Sequence, residues 1–152
     1  MKFLFGALLI LSAVFFMVLI NGDWQLTSVN IFVDAPSLLF LLLILFGFTI
    51  VSGSQRVFSN GVTAAFNKSF EFSNDDRAKS IAFFKQLRRA SFYAGWLSFI
   101  IHFVMMLGNL DDINVIVSGL VLSSVALLYA ALLSLVFISP VISRLKNGTK
   151  ND

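Results

Sequence analysis

Four long stretches without any charged side chain constrain the fold of this chain more than any other feature of its sequence. They cover residues 3–22, 35–55, 90–110 and 113–143. A helix of about 20 apolar residues crosses a hydrocarbon core about 30 Å thick, because an α-helix rises about 1.5 Å per residue. The sequence therefore predicts an all-α membrane protein with a single transmembrane domain, 1–152. We expect four transmembrane helices, at approximately 3–21, 35–54, 90–109 and 113–142.

The basic residues predict the orientation of these helices. If all four stretches cross the membrane, the segments between them alternate sides, and all eleven Lys and Arg residues then fall on one side. The opposite side consists of segments 23–34 and 111–112, which contain no basic residue. Because Lys and Arg are enriched in cytoplasmic loops, we expect a multi-pass protein with both termini in the cytoplasm.

Composition excludes several classes of protein. With 58% hydrophobic and 12% charged residues, the chain differs from soluble domains, which are about 25% charged. Its pI of about 9.5 would suggest nucleic acid for a soluble protein, but here the basic residues flank membrane spans and should contact anionic lipid headgroups. The chain has no cysteine and no nucleophile–base pair, phosphate loop or metal cluster. We therefore expect no nucleic-acid partner, no cofactor and no enzymatic activity.

The first stretch also needs to be distinguished from a secretory signal peptide. Its apolar run is longer than a typical signal core, and Ile20-Asn21-Gly22-Asp23 lacks a small-x-small cleavage pattern. We expect it to be retained as the first helix.

Local signals predict where the other helices begin and bend. Asp34 is expected to cap the second helix, and Pro36 suits its first turn, where the missing N–H costs nothing. Ser73, followed by acidic residues, predicts the start of a short cytoplasmic amphipathic helix that leads directly into the third span. The fourth stretch, at 31 residues or about 46 Å, must tilt, protrude or kink, and Pro140 is the expected place.

Small and polar residues recur at spacings of four, in one run in the third span and two runs in the fourth. They are Ala94, Ser98 and His102 in the third span, and Gly119, Ser123, Ala126, Ala130 and Ser134 in the fourth. Small residues at this spacing let helix backbones approach closely in lipid. The pattern predicts helix packing, and we expect these faces to mediate self-association.

His102 is the only titratable side chain deep in a predicted span. It either exchanges protons in an ion path or donates one hydrogen bond between helices. No acidic residue lies within the four stretches, so the sequence predicts no buried carboxylate from this chain.

Two parts of the chain resemble the MotA/TolQ/ExbB family of ion-channel subunits, MotA-type flagellar stator proteins in particular. The first part, 31–39, contains Asp34-Ala35-Pro36-Ser37 and is similar to the family's entry into its second helix. The second part begins at Gly95 and includes Met105-Met106-Leu107-Gly108-Asn109-Leu110-Asp111-Asp112, Leu128-Tyr129-Ala130-Ala131-Leu132-Leu133 and Phe137-Ile138-Ser139-Pro140-Val141-Ile142. Together they cover roughly half of the chain, in the family's order and spacing.

The resemblance implies a proton- or sodium-channel subunit of a small ion-driven complex in the bacterial inner membrane. Such subunits form a ring, expected to be a pentamer, around the transmembrane helix of a partner of MotB/TolR/ExbD type, which supplies the carboxylate. It marks Asp34, Pro36, Gly95 and Pro140 as structural positions. Candidates for an ion path or for helix packing are His102, Ser98, Ser123, Ala126, Ala130 and Ser134.

The chain also departs from the family's pattern. It has Leu43-Ile44-Leu45 where the second helix usually has Gly-Gly-Thr, Ala126-Leu127 in place of a Thr pair, Phe99 in place of a Thr, His102 in place of a Gly, and Phe92 in place of a Pro. These changes remove hydroxyls that could replace an ion's hydration shell. Only about 35 residues stand where a stator has its large cytoplasmic domain. A non-conducting scaffold or interaction protein that keeps the fold therefore remains an alternative.

Overall fold

The computed structural model describes Ser12 and residues 34–67, 73–108 and 111–147. These residues form helices joined by short turns and contain no strand, which confirms the all-α prediction. The helices are α1 (Ala35–Val51), α2 (Gln55–Phe66), α3 (Asn74–Leu107), α4 (Ile113–Leu132), a π-helical segment (Leu133–Ile138) and α5 (Ser139–Asn147). The first predicted helix, 3–21, lies outside the described residues except for Ser12, which is helical.

The described residues contain two or three candidate membrane spans rather than a demonstrated four. Asn74–Leu107 and the continuous run Ile113–Asn147 are both long and apolar enough to cross a membrane. Helices α1 and α2 supply a third span only if this pair, bent by 113°, counts as one. The chain therefore has the apolar helices of a multi-pass membrane protein, while the predicted count of four is not confirmed.

Helix α3 begins where the sequence predicts, but it is a single helix of 34 residues. The Ser73 hydroxyl accepts a hydrogen bond from the Asp76 N–H, and acidic residues in the first turn complement the positive end of the helix. Lys79, one turn after Asp75, forms a salt bridge with the Asp75 carboxylate. The hydrogen bond between the two side chains raises the pKa of Lys79. The predicted amphipathic helix and third span are thus one continuous element, about 51 Å long.

Helix α2 was not anticipated from the sequence. The chain leaves α1 through Gly53, whose φ of +61° lies in the left-handed region that glycine adopts without strain. Helix α2 then lies against α3, where a Cβ at Gly61 would be 2.5 Å from the Phe84 ring. From α5, the Arg144 guanidinium donates to the Ala65 carbonyl and lies over the Phe66 ring, so α5 holds the end of α2.

A buried cluster joins all five α-helices and the π-helical segment, and its aromatic part lies around the basic end of α3. The Phe48 ring of α1 stacks on Phe83 with centroids 6.3 Å apart, and Phe58 of α2 lies 5.8 Å from Phe84. Leu145 of α5 is buried in the same cluster. We call this end of the molecule the inner end, because it also carries the basic residues.

The long fourth stretch changes its hydrogen bonding just before Pro140. The segment Leu133–Ile138 is π-helical, and α5 begins at Ser139, directly before the proline. Proline lacks an N–H and its ring clashes with the carbonyl four residues earlier, here that of Val136 in the π-helical segment. The expected irregularity therefore lies in the turn preceding Pro140, and the helix continues past it to contact α2.

Candidate functional site

The two parts of the chain that carry the family resemblance meet at one hydrogen bond. The backbone N–H of Asp34, at the start of α1, donates to the Tyr129 hydroxyl of α4 at 2.8 Å, across 95 positions of sequence. Asp34 belongs to the Asp-Ala-Pro-Ser motif and Tyr129 to the Leu-Tyr-Ala-Ala motif. The motifs thus form one structural unit.

This contact lies far from the outer ends of α3 and α4. Tyr129 precedes Ala130, and the Ala130 Cβ would be 2.6 Å from a Cβ added at Gly95. Ala130 of α4 and Gly95 of α3 therefore lie at the same height along the hairpin. Gly95 is twelve residues, or about 18 Å, from the end of α3 at Leu107. Tyr129 is about 24 Å from the start of α4 at Ile113. The start of α1 therefore lies beside the uncharged part of the α3–α4 hairpin.

The sequence places Asp34 at the end of segment 23–34, and the side of the membrane on which it lies stays a prediction. In the structure the Asp34 backbone contacts the side chain of Tyr129, which precedes Ala130, and Ala130 lies against Gly95 of the uncharged stretch 90–110. Helix α1 therefore starts partway along the hairpin, a placement that the order of residues in the chain does not specify.

Two buried oxygens at this position lack hydrogen-bond partners within the described residues. They are Oδ2 of Asp34 and Oγ of Ser37, and Ser37 is only 2% exposed. The two residues are three positions apart and share a face of the helix start. A buried polar atom without a partner is costly, so a proton, an ion or another chain that satisfies these oxygens would stabilise the site.

Asp34 differs from its predicted role as a cap. It occupies the N-cap position of α1, but its carboxylate makes no capping hydrogen bond. Pro36 does lie in the first turn, as expected. The carboxylate is therefore not used by its own helix.

The small residues of α3 and α4 face each other within one chain. Ala94 and Ala130 are buried, and the Ser91 hydroxyl donates to the Ala130 carbonyl at 3.2 Å. Farther along the hairpin, a Cβ added at Gly119 would be 3.0 Å from the Met106 Cβ. These small residues therefore pack against each other within one chain, and self-association through them stays a prediction.

The other candidate residues follow the same hairpin. Ser98, Ser123 and Ala126 are buried in it, and the Ser123 hydroxyl donates to the carbonyl of Gly119 in its own helix. Ser134 is half-buried in the π-helical segment. These positions are consistent with packing, and Asp34 and Tyr129 are the polar residues that the sequence reading left out of the candidate path.

His102 is half-buried and hydrogen-bonded within its own helix. Its Nδ1 lies 2.8 Å from the carbonyl oxygen of Ser98. Because a carbonyl oxygen only accepts, Nδ1 is the donor in this contact. This Nδ1 bond lies inside α3, and the choice between an ion path and a bond between helices stays a prediction. His102 is about 10 Å along α3 from Gly95.

Comparisons with known proteins add no relative. The chain matches no protein-family model, no curated protein and no solved structure.

Proposed function

We propose that this chain is the channel-type subunit of a small ion-driven membrane complex, similar to MotA/TolQ/ExbB proteins. It assembles as a ring around the transmembrane helix of a single-span partner. Protons or sodium ions pass along the interface between the ring and that helix. The inner membrane of a bacterium, with both termini in the cytoplasm, is the location that fits this role.

The contact between Asp34 and Tyr129 is the observation that carries this proposal. It links the two segments that resemble the family, and it brings the backbone of Asp34 to the Tyr129 hydroxyl beside the uncharged hairpin. Ionisable residues at membrane depth are expensive and usually serve transport. The buried oxygens of Asp34 and Ser37, without partners in the described residues, are groups that a passing ion or proton would use.

Purification followed by reconstitution tests the proposal. Chains that co-purify from native membranes are identified first, and the complex is then placed in vesicles for measurement of proton and sodium flux. We expect an oligomer with a single-span partner, and loss of flux in Asp34→Asn with assembly retained. Asp112→Asn makes the same chemical change at an exposed acid, and it should leave flux unchanged.

Either of two results would contradict the channel role. One is a wild-type protein that is monomeric and partner-free in mild detergent. The other is equal flux through wild type and Asp34→Asn.

A non-conducting scaffold is the second candidate, favoured by where the apolar replacements lie. Leu45 and Ala126 occupy positions at which the family usually has hydroxyls, and both are buried in the packed interior of this chain. An ion at this level would find methyl groups instead of oxygen ligands. A complex that assembles with its partner but passes no ion would identify the scaffold.

A further inference from the structure

A crevice beside α1, separate from the Asp34 contact, has the shape of a binding site. Its volume is about 480 Å³, within the range of roughly 300–1,000 Å³ for ligand sites. Its walls come from α1, the start of α2, α3 and the π-helical segment. Representative lining residues are Leu39, Leu43, Phe46, Gln55, Leu87 and Phe137.

The crevice is apolar except at its inner end. Its polar lining residues are Thr49 and Gln55. The Thr49 hydroxyl already donates to the Leu45 carbonyl at 2.8 Å, so the Gln55 amide is the polar group that the crevice offers. The lining therefore suits a hydrocarbon with a polar group at one end.

The length of the crevice suits a hydrocarbon chain. From Leu39 to Thr49 it follows α1 for about 15 Å, which is half of a hydrocarbon core of about 30 Å and therefore the depth of one leaflet. The volume of about 480 Å³ is the space open to the centres of water-sized spheres, so the crevice admits a methylene chain.

The charges at the inner end favour an anionic headgroup. Arg56 follows Gln55 and is exposed, and Leu87 of the lining is flanked in α3 by the exposed side chains of Lys85, Arg88 and Arg89. Such a cluster beside a membrane span attracts anionic lipids.

We propose that this crevice binds one acyl chain of an anionic phospholipid from the leaflet on the basic side, with the phosphate against Gln55 and Arg56. The bound lipid fills the space between α1 and the π-helical segment. This site does not depend on ion conduction, so it stands or falls separately from the proposed function.

Native mass spectrometry of the purified full chain tests the site. The protein in mild detergent receives equal amounts of phosphatidylglycerol and phosphatidylcholine, and retained lipids are counted. We expect one phosphatidylglycerol per chain in the wild type. Leu43→Trp should lose it because the indole fills the crevice, and Leu39→Trp should do the same; both side chains are exposed, so folding is preserved.

Two further variants sharpen the result. Leu38→Trp, also at an exposed position of α1 but outside the lining, should keep the lipid. Arg56→Gln should lower the preference for phosphatidylglycerol over phosphatidylcholine roughly fivefold, as expected for loss of one basic side chain near an anionic headgroup.

Three outcomes would overturn the site. The first is no retained lipid in the wild type. The second is that the wild type retains phosphatidylglycerol and phosphatidylcholine equally and that Leu43→Trp retains as much of each lipid as the wild type does. The third is an efficient disulfide between cysteines introduced at Leu43 and Ala13, which would mean that the chain's own first apolar stretch covers the crevice.

Discussion

The inner end of the bundle is filled with phenylalanine rings from several helices, whereas the outer part of α3 meets α4 through small residues. At the inner end, Phe83 and Phe84 interlock with rings from α1 and α2. In the hairpin, Gly95 and Ala130 bring two backbones together with almost no side chain between them.

The difference follows from the solvent around each region. Because the inner end carries the basic residues, we expect it to reach the aqueous side, where removing large aromatic surfaces from water stabilises it. Within lipid the surroundings are as apolar as the side chains, and association depends on close van der Waals contact and a few hydrogen bonds. The same chain therefore uses large residues where water contributes to folding and small ones where it does not.

The largest effect is expected from Phe84→Ala. Phe84 is 0% exposed and lies against Gly61 and the Phe58 ring, so truncation leaves a cavity. We expect a loss of about 3–5 kcal/mol in the free energy of unfolding, measured by denaturation in detergent micelles. Phe46→Ala removes an exposed ring and should cost far less. Similar losses in both variants would show that the inner end is not packed in this way.

A smaller effect is expected from Gly95→Ala. The new methyl group would lie 2.6 Å from the Ala130 Cβ, so the hairpin must separate. Overpacking of this kind costs about 1–3 kcal/mol. Gly47→Ala is the matched control, because nothing lies within 4 Å of its added Cβ and alanine favours a helix. Thermal unfolding in micelles measures both, and equal midpoints would disprove the close approach.

The smallest effect is expected from Ser91→Ala. This change removes the hydrogen bond from the Ser91 hydroxyl to the Ala130 carbonyl. Hydrogen bonds between helices in membranes contribute about 0.6 kcal/mol on average, so the loss should be of that size. Ser124→Ala serves as control, since its exposed hydroxyl bonds only to Leu120 of its own helix. A loss above about 2 kcal/mol would mean that hydrogen bonds, rather than close packing, hold the hairpin together.

Helix positions were predictable where the sequence carries a local signal. Ser73 with its acidic neighbours marked the start of α3, and Pro36 marked the first turn of α1. Helix α2 was missed because Gly61 and polar residues interrupt its apolar pattern, and its stability comes from contacts with Phe84 and Arg144 instead. The local sequence pattern carries no information about the tertiary contacts that stabilise this helix.

The candidate site was predictable only in part, for a related reason. Small residues at a spacing of four indicated the contact between the third and fourth spans, but the pattern could not distinguish packing within a chain from packing between chains. The position of Asp34 along the hairpin depends on how α1 packs against α3 and α4, and its contact Tyr129 lies 95 positions away in the sequence. No spacing in the sequence encodes this position.

The π-helical segment has a consequence for how this chain tolerates changes in length. A π-helical turn holds more residues than an α-helical turn, so Leu133–Ile138 carries the equivalent of one inserted residue. Deleting Leu135, which is exposed, lets the segment relax to an α-helix while α4 and α5 keep their angular relation. Deleting one residue from α4 instead rotates everything after it by about 100° and turns Arg144 away from Ala65. In genetic terms, this segment is the one place in the fourth stretch where a codon can be lost without uncoupling the two ends of the helix.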